Sequence, residues 1–350
     1  MVPSFDKIIR VYVFKSGLIG DIVVAIPSLV EIRKLFPNAK IIFYVEYQRN
    51  GAHLLMKEIL LKYNLVDGYK VFDVKSISGL FRIFCKFIFK NRYLSIIYSL
   101  ERYSWTDRRE RFFKLLNFRF VYGPAALKNK SSLADFVGIQ LLKVVELATS
   151  KRNTIQKPSF SYPKLPELFN ESSDLVSFPE LRFQGEYAVV CIWSNMSSKR
   201  WEPINFIKVI DYLKRKYFKN VVLIGGGDPN ELKENNFVAE RTGAINLSGK
   251  LSLLNSFKLI QKSRIFLGND SGTLHLANLA QIPSVSIFSS IEKFGIWRPV
   301  VSKSISLRAD VACSGCELRD CIQTSFHCTN LIDVDKVKIE IDILLNPLHE

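Results

Sequence analysis

Residues 267–288 read LGNDSGTLHLANLAQIPSVSIF. A β-rich run over 264–267 meets a small polar turn, Gly268-Asn269-Asp270-Ser271-Gly272. A helical run over 273–280 follows, and then a proline-led apolar strand over 284–288. Strand, turn, helix and strand in that order make a βαβ unit, the building block of a parallel sheet. The turn suits an anion. The first N–H groups of a helix have no partner within it, and the helix dipole leaves roughly half a positive charge there. Gly272 lets a ligand approach the backbone, while Ser271 and Thr273 add hydroxyl donors. A phosphate is a natural occupant of such a turn. The same residues also make a plain helix end, with Asp270 or Ser271 as the N-cap. From this stretch alone the two readings stand level.

The chain opens with the same rhythm. A strand over 8–14 leads into a turn over 15–20, a helical stretch over 21–36 and a second strand over 40–46. Pro27 lies inside the helical stretch, so a kink or a late helix start is expected there. The segment 81–90, FRIFCKFIFK, puts Arg82, Lys86 and Lys90 on one helix face and Phe81, Phe84, Cys85 and Ile88 on the other. It reads as an amphipathic helix packed on a sheet, with basic stems reaching solvent. A strand over 96–100 follows.

From about residue 150 to 185 the periodicity fades, and Pro158, Pro163, Pro166 and Pro179 appear among Ser and Asn. That composition marks a linker or an extended crossing segment. The α/β rhythm then restarts, with strands over 187–193 and 221–224 and helices over 205–217 and 230–241. The expected organisation is a first domain over 1–165, a linker over 166–185 and a second domain over 186–330. A terminal helical segment, 331–350, is expected to return to the first domain.

Bulk properties narrow the partners. The 350 residues suffice for two domains, and 48% hydrophobic content belongs to a folded chain with a full core. With 49 Lys+Arg against 33 Asp+Glu the net charge is +16, which suits nucleic acid, an anionic membrane face or a phosphorylated substrate. No nucleic-acid recognition motif accompanies the charge, so nucleic acid is set aside. No secretory signal is visible at the start, and no window of about 20 residues is free of charge as a spanning helix requires. A cytoplasmic protein with reduced thiols is the expectation.

Several clusters carry candidate chemistry. Lys15-Ser16-Gly17-Leu18-Ile19-Gly20-Asp21 links a strand to a helix, and Gly17 and Gly20 allow close approach of a ligand. The dinucleotide fingerprint fails because its middle glycine is Ile19. Asp21 is either a first-turn carboxylate favoured by the helix dipole or a general base. Ser194 to Trp201 (SNMSSKRW) reads as a phosphate-binding turn, Lys199 acting as a point charge and Arg200 as a two-pronged donor, or as a solvated basic loop. Gly225-Gly226-Gly227-Asp228 can approach a nucleoside, with Asp228 or Glu231 accepting from ribose hydroxyls, or can be a plain turn. Cys313, Cys316, Cys321 and Cys328 are spaced C-x2-C-x4-C-x6-C, with His327 alongside. The C-x2-C start suits a structural zinc clip, but the full spacing is not that of a standard finger, which favours free or paired structural thiols. Arg102, Arg108, Arg109 and Arg111 form a basic cluster, a solvated face or a surface for an anionic acceptor or lipid. Asp333-Val334-Asp335 precedes a helix and reads as a cap.

Taken together, these segments resemble the heptosyltransferase-type glycosyltransferases of family 9. The resemblance rests on GLIGDIVVAIPSLVEIRKLFPNAKIIFYV, SSKRWEPINFIKVI, NLSGKLSLLNSFKLIQKSRIFLGNDSGTLHLANLAQIPSVSIF and CSGCELRDC…HCTNLIDVDKV, in that order along nearly the whole chain. It implies an α/β chain of the GT-B fold, two Rossmann-like parallel-sheet domains facing each other across a cleft. It implies an inverting, metal-independent glycosyltransferase with a nucleotide-diphosphate-sugar donor, usually ADP-heptose, and a growing lipopolysaccharide core as acceptor. No cofactor is required, and the enzyme would sit at the cytoplasmic membrane surface, peripheral to the inner membrane, beside its anionic glycolipid. By position, Asp21 matches the family's base, Lys199 the lysine on the donor phosphates, and Asp270, Ser271, Gly272 and His275 the donor motif D-S-G-x-x-H. Ser194, Arg200, Asp228, Glu231 and Thr273 complete the expected donor side. Gly17, Gly20 and the arginine cluster make up the acceptor side. The family's usual proline after D-S-G is Thr273 here, and Tyr93-Leu94 stands where a tyrosine–aspartate is common. Two other functions remain compatible: a GT-B sugar-nucleotide epimerase or hydrolase, which would turn over without acceptor, and a non-catalytic nucleotide- or lipid-binding protein.

Overall fold

The computed structural model describes residues 8–46, 52–72, 95–99, 120–122, 141, 143–145, 161–163, 178, 185–292, 295–299, 301, 303–323 and 327–346. The chain divides into two compact units, Met1–Pro163 and Lys164–Glu350. The amphipathic segment 81–90, the arginines 102, 108, 109 and 111, and nearly all of the proline-rich segment lie outside the described residues.

In the first unit, β1 (Arg10–Lys15), β2 (Lys40–Glu46), β3 (Gly68–Phe72), β4 (Ser95–Ser99) and β5 (Phe120–Tyr122) form one sheet in the order β3-β2-β1-β4-β5. Every neighbouring pair is parallel. Parallel strands are covered on both faces, which is why they read as unbroken apolar runs. Val11, Val13, Ile41, Phe43, Val45 and Ile97 are all fully buried. The chain steps outward from β1 to β3 and then returns to the far side of β1 for β4. Ligands of open α/β sheets bind at such reversals, beyond the carboxyl ends of the strands. The expected long helix is two: Ile19–Val23 and Ile26–Leu35, broken at Val24–Ala25. Pro27 sits in the first turn of the second helix, where its missing N–H has no intrahelical partner to lose.

The second unit contains β6 (Tyr187–Cys191), β7 (Asn220–Leu223), β8 (Ile245–Asn246), β9 (Ile265–Asn269), β10 (Ser284–Phe288) and β11 (Ser304–Arg308), in the order β11-β10-β9-β6-β7-β8. All are parallel, and the reversal falls between β6 and β9. Gly268 is required at that seam: a Cβ there would lie 2.7 Å from the Cys191 carbonyl oxygen. The two parallel-sheet α/β units are those expected for the GT-B class.

The terminal helix, Val334–Leu345, buries Val337, Ile341 and Leu345 in the core of the second unit, with Val285, Ile287 and Phe206. Burying each such side chain contributes about 1.5–3 kcal/mol, so three anchors on one face hold the helix there. Asp333 caps this helix by accepting from the Asp335 N–H at 3.1 Å. Among the described residues no helix is long and apolar enough to cross a membrane.

Candidate functional site

Asp21 lies one turn into the helix that starts beyond β1, at the reversal of the first sheet. Its Oδ2 accepts the Leu18 N–H at 2.9 Å, and its Oδ1 lies 3.7 Å from the Lys15 ammonium. The Lys15 side chain is 2% exposed and also donates to the Ser16 carbonyl at 2.9 Å. Both carboxylate oxygens are therefore oriented, while the side chain keeps 22% exposure. Gly17 makes this geometry possible. Its φ is +109°, and a Cβ there would fall 2.5 Å from Asp21 Cγ. Gly20 is buried inside the helix, packed rather than presented.

In the second unit the two loops flanking the β6/β9 reversal converge. After β6, a single 3-10 turn, Ser197–Lys199, precedes the helix Pro203–Lys216. After β9, Asp270 and Ser271 lead into the helix Gly272–Leu279. Lys199 Nζ lies 2.5 Å from Asp270 Oδ2 and 3.9 Å from Glu292 Oε1. Asp270 is thus the partner of Lys199 and not the helix cap. The capping position belongs to Ser271, which makes no side-chain cap hydrogen bond and pairs its hydroxyl with Thr273 Oγ1 at 2.8 Å. Ser194 donates to the Asp270 carbonyl at 3.3 Å, tying the two loops together.

Arg200 turns the other way. Its Nε donates to the Ser194 carbonyl at 2.7 Å, and its guanidinium lies 3.2 Å from the centre of the Trp193 ring. Asp228 caps the helix Pro229–Thr242, accepting from the N–H groups of Asn230 and Glu231 at 2.9 and 3.3 Å, so its carboxylate is committed to that helix end. Glu231 folds back under the glycine turn and accepts the Gly226 N–H at 2.8 Å. Burial pushes the Glu231 carboxyl up, against the opposing pull of the Gly226 N–H and the Arg200 charge. His275 is buried and meets the Trp297 ring edge-to-face at 5.9 Å.

Three contributors carry no sequence signal of their own. Asn269 is fully buried, donates to the Ile192 carbonyl at 2.6 Å and accepts the Trp201 N–H at 3.2 Å. It pins the end of β6 and the far end of the Lys199 loop to β9. Glu292 follows β10 and Arg308 ends β11, and with Asp270 and Arg298 they line one cavity beside Lys199. Strand order alone brings them to the site.

Cys313, Cys316, Cys321 and Cys328 are unpaired thiols on the wall of a single cavity. Among the described residues no group of three or more His, Cys, Asp or Glu side chains is arranged to hold a metal ion.

Against known families, residues 133–327 match the sequence pattern of glycosyltransferase family 9 (heptosyltransferase). The chain belongs to this family. Lipopolysaccharide heptosyltransferase 3 of Escherichia coli is 30% identical over 116 residues, 32% of this chain. The chain spans only about a third of that relative's length, 34%. Among solved structures, a family 9 glycosyl transferase from Veillonella parvula superposes with a TM-score of 0.73 at 19% identity, covering 97% of both chains. The E. coli heptosyltransferase WaaC with ADP-2-deoxy-2-fluoro heptose gives 0.61 at 16% identity, covering 95% of this chain and 99% of that one. At such identities the likeness concerns the fold. In this family 9 member the D-S-G-x-x-H sequence falls at Asp270–His275, directly after β9 at the sheet reversal.

Proposed function

We propose that this family 9 chain is an inverting glycosyltransferase that moves heptose from ADP-heptose to a lipopolysaccharide-core acceptor without a metal. The observation that carries the reading is the pairing of Lys199 with Asp270 beside the N-terminus of a helix that lacks a side-chain cap, at the switch point of the second sheet. A diphosphate leaving group is already acidic and needs charge neutralisation more than protonation. Lys199 supplies a pre-positioned cation, and the N–H groups at Gly272 and Thr273 supply the positive end of a dipole. Asp270 carries negative charge, so its role is to hold Lys199 in place and not to face the phosphates. Ser194, Ser271, Thr273 and His275 complete the donor side, and Glu231 with its glycine turn is the candidate for the ribose.

Asp21 serves as the base. As the acceptor hydroxyl oxygen bonds to the anomeric carbon, Asp21 takes its proton, and the bond from that carbon to the diphosphate oxygen breaks with its electron pair leaving on the phosphate. A single displacement of this kind inverts the anomeric centre. The sugar and the nucleotide are carried over from the WaaC complex with an ADP-heptose analogue, and the acceptor from the E. coli relative. The net charge of +16 suits an anionic glycolipid at the cytoplasmic face of a membrane. Gly17 and the arginines 102, 108, 109 and 111 are proposed for that acceptor side.

The test is transfer from ADP-heptose to a heptose-deficient core acceptor, with the anomeric configuration of the product read by NMR. Asp21→Asn should abolish transfer while ADP binding stays within about twofold, since a base acts in the transition state and not on the bound donor. Transfer at the native rate by Asp21→Asn overturns the base assignment. Release of free sugar without acceptor overturns the transferase reading.

A further inference from the structure

The four-cysteine segment lies against the loop that carries Lys199. Arg319 and Leu318 offer their carbonyls to Ser198, whose N–H donates to Arg319 at 3.2 Å and whose hydroxyl donates to Leu318 at 2.9 Å. Ser197 donates to the Asp320 carboxylate at 2.5 Å. All three acceptors lie between Cys316 and Cys321. The same segment also holds the loop of Glu292, the second carboxylate near Lys199. The Gly315 N–H donates to the Ser290 carbonyl at 2.7 Å, and the Glu317 N–H to the Ile291 carbonyl at 2.8 Å. On the inner side, Cys328 Sγ accepts the Ser290 N–H at 3.2 Å.

Two features make this strap chemically and conformationally responsive. Cys316 is exposed and Cys321 half-buried, yet both line one cavity of about 60 Å³ whose wall includes Ser198 and Ser290. Five positions apart in sequence, the two thiols share that wall with Ser198 of the Lys199 loop. Glu317, a non-glycine residue, has φ +57° and follows Gly315 at φ +83°. A left-handed conformation at a side-chain-bearing residue is strained and persists only while surrounding contacts hold it. Here those contacts are the hydrogen bonds to Ser290 and Ile291.

We propose that Cys316 and Cys321 form a thiol–disulfide site that controls the placement of Lys199. This rests on the reading of Lys199 as the cation on the donor diphosphate. The oxidant is a small-molecule disulfide, RS–SR. The Cys316 thiolate attacks one of its sulfurs, forming Cys316–S–SR and releasing RSH once protonated. The Cys321 thiolate then attacks the Cys316 sulfur and displaces the second RSH. The protein loses two electrons and two thiol hydrogens, and the small disulfide gains them. Closing the ring through residues 317–320 redraws the backbone that holds Ser197 and Ser198, and Lys199 moves away from Asp270.

The test uses the full-length protein with hydroxyethyl disulfide and then dithiothreitol, followed by intact mass, hydrogen exchange of the 197–201 amides and ADP binding. The proposal expects loss of two hydrogens in the mass, faster exchange over 197–201 and ADP binding weakened about ten-fold, all reversed by dithiothreitol. Cys316→Ser should keep native ADP binding and lose the response, because every hydrogen bond described from 317–320 runs through other atoms. A Cys316–Cys321 disulfide that leaves exchange at 197–201 unchanged overturns the proposal. So do thiols that fail to react, including thiols shielded by a metal that copurifies with the protein. Exchange does not depend on nucleotide, so failure of the reduced protein to bind ADP counts against the donor-site reading alone.

Discussion

The Lys199 ammonium lies 2.5 Å from the Asp270 carboxylate, with the two side chains only 12% and 9% exposed. Two loops 71 residues apart in sequence meet there because β6 and β9 are neighbours in the sheet. A nearly buried pair is asymmetric in its consequences: removing one partner strands the other charge. Lys199→Met should therefore destabilise the second unit by about 3–5 kcal/mol. Lys199→Met combined with Asp270→Asn should cost less than the sum of the two single changes, as a double-mutant cycle in urea would show. Transfer activity should fall about a hundred-fold or more in either Lys199 variant, the scale of losing one pre-positioned electrostatic donor. Additive single and double effects would dissolve the pair as an energetic unit.

Asn269 acts through position. It joins the Ile192 carbonyl to the Trp201 N–H from a fully buried site. Asn269→Leu keeps the number and branching of the side-chain heavy atoms and removes both hydrogen bonds. Each stranded backbone group costs about 1–3 kcal/mol, so thermal unfolding of the second unit should begin several degrees lower. ADP affinity should fall with it, because Trp201 closes the loop that carries Lys199. A variant with lowered Tm and native ADP affinity would reduce Asn269 to a purely structural brace.

Gly17 predicts a different pattern. A side chain at φ +109° is strained, and its Cβ would collide with the Asp21 carboxylate. Gly17→Ala should destabilise by about 1–3 kcal/mol. It should also lower kcat sharply while leaving ADP binding intact, since the disturbed residue lies in the first unit. Parallel losses in kcat and ADP affinity would contradict the division of labour between Asp21 and Lys199.

Asp342 gives a pH dependence. Burial alone would raise its carboxyl, but hydrogen bonds from Lys216, Tyr212 and Tyr217, with the Lys216 charge, outweigh burial and hold it below its ordinary value. Lys216 Nζ lies 2.8 Å from it, and the Tyr212 and Tyr217 hydroxyls each lie at 2.6 Å. A carboxyl lowered in the folded state stabilises above its unfolded value, near pH 4, and loses that contribution as pH falls through the folded value. Asp342→Asn should therefore lower Tm at pH 7 and have little effect near pH 2. An equal loss at both pH values would show that the carboxylate charge is not what counts.

Much of the fold was legible because parallel α/β structure is written locally. The apolar runs at 11–14 and 265–267, the Pro27 break and the small polar turns after β1, β6 and β9 each follow from short-range rules. The sequence also showed which residues carry charge or flexibility at those turns: Asp21, Lys199 and Asp270. It left Asp270 divided between a helix cap and an anion-binding turn, because both place small polar residues at a helix start. Only the neighbouring strand, bringing Lys199 to it, made Asp270 the partner of that lysine.

The sequence by itself therefore determined two α/β halves, their turn chemistry and membership in a glycosyltransferase family. The tertiary structure alone decided that Lys199 meets Asp270, that Asn269 ties their loops together, and that residues 318–320 hold Ser197 and Ser198 in place. The reason is physical. Periodicity and turn preference act over a few residues, whereas strand order is fixed by which apolar faces are buried together, and it sets contacts between residues 68 to 123 positions apart.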